Sequence, residues 1–155
     1  MGVRIQEALF DPGAELNAFS ELSEGAGAVV TFTGLVRSDP NAPVNSLTLE
    51  CYPELALNQI GAIVAEARRR FGLLDETVIH RYGTLQPGEP IVQVMTLAPH
   101  REAAFAGAEF LMDYLKTSAP FWKRESGSGG SRWVEAEAGD ADAAARWHKR
   151  NHAAE

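Results

Sequence analysis

From residue 28 to residue 36 the chain is almost continuously apolar or β-branched, with Ala28, Val30, Phe32, Gly34 and Val36 on one face and Val29, Thr31, Thr33 and Leu35 on the other. This pattern predicts a well-buried strand. A polar stretch over residues 38–43 leads to a second strand-like segment over 46–52, and the spacing predicts a hairpin with a long, mobile connection. From residue 54 the period becomes helical: Ile60, Ile63, Val64, Ala67 and Phe71 share a stripe that Gly72 brings to an end. Arg68, Arg69 and Arg70 read as its solvated last turn, where cations suit the helix dipole. Two more strands are predicted over 76–84 and 90–97, joined by Gln86-Pro87-Gly88-Glu89, a type II turn sequence. A second amphipathic helix is predicted over 101–116, with Ala104, Phe105, Ala108, Leu111, Met112 and Leu115 inward; Pro120 excludes its continuation. Ser126 to Ser131 (SGSGGS) reads as a flexible loop, residues 132–136 as a short strand and about 140–150 as a terminal helix. The sum is an α+β chain with several antiparallel pairs, expected to form a single domain over 1–155.

Composition narrows the function. A length of 155 residues with 45% hydrophobic and 23% charged residues is that of one soluble globular domain. A net charge of −7 argues against a general nucleic-acid binder, which needs a positive surface to displace counterions. The single cysteine, Cys51, excludes an internal disulfide, and with four scattered histidines it offers no metal-ligand spacing. No signal peptide and no membrane-spanning run are apparent, so a cytoplasmic location without membrane attachment is expected.

Against this acidic background one segment stands out. The chain has three lysines, and two of them, Lys116 and Lys123, lie in YLKTSAPFWKRE, which carries three positive charges between Tyr114 and Arg124 and no acid. A lysine held near other cations and apolar walls is disfavoured as ammonium, which frees the amine for nucleophilic or base chemistry. Read alone, Lys116 also suits a helix C-terminus, and Lys123 also suits a solvated position after an aromatic anchor, Phe121-Trp122. Arg37 ends the first strand at the mouth of a polar loop, where a guanidinium grips an anion bidentately or simply faces solvent. His100 and Arg101 open the second helix, whose unpaired N–H groups make a phosphate cradle. His80 and Arg81, inside VIHRYG, read as structural. These residues describe a pocket for a phosphorylated small molecule with an amine for chemistry. A non-catalytic phosphate- or nucleotide-binding module and a protein–protein scaffold with Phe121, Trp122 and the lysines at its interface remain alternatives at this point.

Five segments carry a resemblance: GAVVTFTGLVRS (27–38), LTLECYPE (47–54), VIHRYGTLQPGE (78–89), APHREAAFAGAEFLMDYLKTSAPFWKRE (98–125) and RWVEA (132–136). In this order they resemble the molybdopterin synthase catalytic (large) subunit family, the MoaE family. The resemblance implies an α/β hammerhead-type fold with an additional antiparallel β subdomain. It implies a homodimer within a heterotetramer, each catalytic chain docking a small ubiquitin-like sulfur carrier whose C-terminal Gly-Gly bears a thiocarboxylate. The implied reaction converts cyclic pyranopterin monophosphate into the dithiolene molybdopterin, a sulfurtransferase step of molybdenum cofactor biosynthesis, with no resident cofactor and no metal. On this resemblance Lys116 and Lys123 are the catalytic residues, and Arg37, His100 and Arg101 bind the substrate phosphate. Phe32, Met112 and Glu125 line or support the pocket, and Arg132 stands near it. Some family members carry an arginine that reaches the partner's site at the place occupied here by Glu137.

Overall fold

The computed structural model describes residues 2–21, 24–41, 43–127 and 130–134, together with Ala145 and Trp147. The elements run β1 (Gly2–Gln6), α1 (Pro12–Ser20), β2 (Ala28–Leu35), β3 (Val44–Cys51), α2 (Pro53–Phe71), β4 (Asp75–Arg81), β5 (Gly83–Leu85), β6 (Pro90–Ala98), α3 (Arg101–Thr117), β7 (Phe121–Gly127) and β8 (Gly130–Val134). The strands form two four-stranded sheets, ordered β1-β4-β6-β2 and β5-β3-β7-β8. The first is antiparallel except for the parallel β1–β4 pair, and the second is antiparallel throughout. The α+β expectation and the additional antiparallel sheet are both borne out.

The order of the first sheet follows from its side chains. From Val92 to Ala98 every residue of β6 is buried, so it takes a central position with neighbours on both edges and apolar layers on both faces. On one face α2 and α3 bring Ile60, Val64, Ala67, Ala104, Ala108 and Leu111 against Val78, Val94 and Ala98. On the other, Phe19 of α1 packs on Met95 and Leu97. Helix α1 begins where Asp11 accepts from the N–H groups of Gly13 (2.9 Å) and Ala14 (3.2 Å), with Pro12 in the first turn. Neither β1 nor α1 has a strong period in the sequence, and neither was anticipated from it.

Three sequence expectations are corrected. The strand over 28–35 is an edge strand: Val29, Phe32 and Leu35 are exposed, because β2 has β6 on one side only. Its unbroken apolar run reflects surface as well as core. Next, β2 and β3 are not a hairpin, since β2 pairs with β6 while β3 pairs with β5 and β7 in the other sheet. Finally, the strand expected over 76–84 is two strands in two sheets. Tyr82 still donates its N–H to the Gln6 carbonyl at 3.1 Å, and Gly83, at φ 88°, then redirects the chain.

Other expectations hold with adjustments. Gly72 ends α2 in the left-handed conformation (φ 65°), and the Gln86–Glu89 turn closes with Gly88 at φ 87°. The arginine triplet is more than a solvated turn. Arg68 pairs with Asp75 and Glu76, and the Arg70 guanidinium lies 5.3–5.6 Å from the rings of Phe71, Phe110 and Trp147. Of the SGSGGS segment, Ser126 pairs with Ser131 and Gly127 with Gly130, so these four residues belong to the β7–β8 ladder rather than to an open loop, and Ser128 and Gly129 lie outside the described residues. The terminal helix expected over 140–150 lies outside the described residues except for Ala145 and Trp147, both helical.

Candidate active site

The two lysines are brought together by one tight connection. At the end of α3, the N–H groups of Ser118 and Ala119 both reach the Tyr114 carbonyl (2.8 and 3.3 Å), and the Phe121 N–H donates to the Ala119 carbonyl at 2.8 Å. The chain therefore reverses immediately into β7, leaving Lys116 in the last helical turn and Lys123 on the adjoining strand. Alternation along β7 turns Phe121, Lys123 and Glu125 to a half-buried face, with Trp122 and Arg124 exposed. Opposite them on β3 stand Cys51, Leu49 and Leu47. Val36 packs with Leu47, Leu49 and Leu85, and Arg37, the next residue, is exposed. Met112, one turn before Lys116 on α3, packs against the main core.

Beneath the lysines lies a residue that sequence reasoning set aside. His80, in β4, is 8% exposed, and its ring stacks on Phe121 at 3.8 Å between centroids with 18° between planes. Its Nδ1 lies 2.8 Å from the Arg81 carbonyl oxygen. A carbonyl only accepts, so Nδ1 carries the proton and the ring is neutral at Nε2. Burial, joined by the positive charges of Lys123 and then Lys116, pushes the imidazole down to about 4 against the opposing pull of the Arg81 carbonyl. His80 thus feels the charges of both lysines. The missed signal is its place on the buried face of β4 with Glu76 and Val78, inside one of the resembling motifs.

This burial has a consequence for stability. The unfolded histidine takes a proton near pH 6.5, whereas the folded one resists protonation until about pH 4. Stability is therefore lost as pH falls from about 6.5 to about 4, because the unfolded state binds more protons across that window. At about 1.36 kcal/mol per pKa unit, the loss reaches roughly 3 kcal/mol. Urea titrations between pH 7 and pH 4 should show wild type losing that much more than His80→Phe, and parallel curves would refute the assignment.

His100 and Arg101 do not join the lysines within one chain. His100 is the N-cap of α3 and Arg101 its first residue, and both are exposed. The helix has 17 residues, and at 1.5 Å of rise per residue its two ends stand roughly 24 Å apart. A single small phosphorylated molecule does not bridge that gap. No side chain caps this N-terminus, so its first-turn N–H groups lack a side-chain acceptor. Phe32 is 42% exposed on the edge strand, one position of a surface rather than of a closed wall. Arg132 is in β8, in register with Glu125. Glu137 lies outside the described residues. Arg81, by contrast, is structural as expected, donating to the Glu7 and Pro90 carbonyls and to Glu89 at 3.0–3.1 Å. A cavity of about 530 Å³ does exist, but it is lined by Cys51, Tyr52, Tyr82 and Trp122 among others and includes none of the expected site residues. Position beside chemistry, not volume, identifies the candidate site.

An α+β chain with two sheets and a paired-lysine turn joining them matches known proteins along nearly its whole length. The MoaE protein family matches residues 5–118. A molybdopterin synthase catalytic subunit of Cereibacter sphaeroides is 51% identical over 147 residues, 95% of this chain and 100% of that one. The catalytic subunit of Pseudomonas aeruginosa is 49% identical over 150 residues, 96% of this chain and 100% of the other. Among solved structures, molybdopterin cofactor biosynthesis protein E from Burkholderia multivorans superposes with a TM-score of 0.79 at 45% identity, covering 95% of this chain and 96% of that one. The chain belongs to the MoaE family of molybdopterin synthase catalytic subunits, enzymes of molybdenum cofactor biosynthesis. The resemblance read from the sequence motifs is borne out. Among the described residues, no helix is long and apolar enough to cross a membrane.

Proposed function

We propose that this chain transfers sulfur from the thiocarboxylated C-terminus of a small ubiquitin-like carrier to cyclic pyranopterin monophosphate, forming the dithiolene of molybdopterin. The reading is supported by the tight turn between Lys116 on α3 and Lys123 on β7, and by the charges of both lysines acting on His80. Each transfer forms a carbon–sulfur bond on the pterin and leaves the carrier, after water replaces the sulfur, with an ordinary carboxylate. The lysines supply what these steps need: a proton donor and acceptor at the reacting pterin carbon, and a cation beside the carrier's acyl end. Arg37, exposed beside the buried Val36, binds an anionic group of substrate or carrier. Met112 and Glu125 support the two elements that carry the lysines, Phe32 extends the surface, and Arg132 stands in register with Glu125 on β8. That the relatives are named catalytic subunits fits a separate carrier polypeptide. The work is done in the cytoplasm, with no nucleic acid or membrane.

The length of α3 adds a condition. Because His100 and Arg101 stand roughly 24 Å from Lys116 along the helix, they serve a lysine site only if it belongs to the second chain of a homodimer. The phosphate cradle of one chain then completes the lysine pair of the other. Mixing the purified protein with thiocarboxylated carrier and cyclic pyranopterin monophosphate tests the function. Dithiolene product is expected, and a folded, carrier-binding protein that yields none returns the chain to the scaffold reading.

A further inference from the structure

We propose that His80 is a positioning residue for this reaction: its unprotonated Nε2 accepts a hydrogen bond from the Lys123 ammonium and so fixes where that group stands at the site. The inference rests on the sulfur-transfer reading for its kinetic consequence, but its structural part stands alone. Three observations converge. The Nδ1 contact with the Arg81 carbonyl commits the proton to that nitrogen and leaves Nε2 as an acceptor. The stack on Phe121 fixes the ring plane. Phe121 and Lys123 are two positions apart on the same face of β7. Such positions are separated by roughly 7 Å, which a flexible lysine stem spans. Of the two lysine charges felt by the ring, that of Lys123 is the larger. The arrangement also joins the two sheets, since β4 carries the imidazole and β7 the ring it stacks on and the lysine it serves.

Packing and acceptor roles predict opposite orders for two substitutions. His80→Phe keeps the shape and the stack but removes both nitrogens, while His80→Gln gives up the stack and places an amide oxygen near the position of Nε2. If His80 positions Lys123, His80→Phe lowers kcat by roughly ten- to a hundredfold with KM nearly unchanged, the range expected for losing one hydrogen bond to a charged group. His80→Gln then restores much of that loss even if it is the less stable protein. If the ring only packs, His80→Phe is the more active of the two and activity follows stability, which overturns the inference. A second readout needs no turnover. In imidazole nitrogen NMR of the wild-type chain, His80 should show the Nδ1–H tautomer with a hydrogen-bonded Nε2, and the Nε2 resonance should move to that of an unbonded lone pair in Lys123→Ala. An Nε2 resonance unmoved by Lys123→Ala overturns the pairing whatever the enzyme assays give. Wild type that makes no dithiolene yet shows the Lys123-dependent shift removes the sulfur-transfer reading and leaves the pairing standing.

Discussion

Lys116→Ala is expected to lower dithiolene formation by roughly 10²- to 10⁴-fold, the range for losing a positioned acid–base group, while carrier affinity stays close to wild type. The separation of the two effects follows from where the residue sits. Lys116 is exposed in the last turn of α3, and its partner across the turn is β7, so truncation removes a charge from the site without opening the core. Steady-state assays set beside calorimetric titration of the carrier distinguish the readings. An enzyme loses turnover and keeps binding. A scaffold that uses the lysines as an interface for an acidic carrier loses binding first, with any product falling in proportion.

The second large effect concerns α3 as a ruler. Arg101→Ala and Lys116→Ala homodimers should each be nearly inactive, one lacking the phosphate cradle and the other the amine. Co-assembled at equal amounts, half of the dimers are mixed, and each mixed dimer holds one site with both groups intact. Activity should therefore recover to about a quarter of wild-type sites. A mixture no more active than its parents would mean that the two groups act within one chain or not at all, contrary to the roughly 24 Å that separates the ends of a 17-residue helix.

Much of this was legible in the residues, and the parts that were not have physical causes. Helices α2 and α3 were read almost to their ends, because their apolar stripes recur at helical spacing over 19 and 17 residues. The Pro87-Gly88 turn was read because its conformation demands those residues. Strand pairing was misread where a local rule met a tertiary decision. Nothing in 38–43 shows that the chain is changing sheets, and nothing in the run Ala28–Leu35 shows that one edge of the strand lacks a neighbour. The β7 strand was passed over because FWKRESG lacks β-branched residues; it is held by its ladders to β3 and β8 instead.

At the site, the lysine pair was visible because it reverses the local charge of an acidic chain. The assembly of all the basic residues into one pocket was a reading by type, and the helix length divides it. His80 was passed over for the opposite reason. A histidine in an apolar strand is usually core, and here it is core, but the residue stacked on it comes from a strand 41 positions later in the chain, Phe121. Only the fold shows that two positions beyond Phe121 stands a lysine.

Sulfur that passes from the carrier to the pterin at this chain's lysine site can be followed by its mass. The most direct measurement is mass spectrometry of the pterin product after reaction with a carrier whose thiocarboxylate holds heavy sulfur. The expected result is a dithiolene with heavy sulfur at both positions, two carriers converted to carboxylates per product, and no labelled product from the Lys116→Ala chain. Unlabelled product, or labelled product formed equally well by Lys116→Ala, would contradict it.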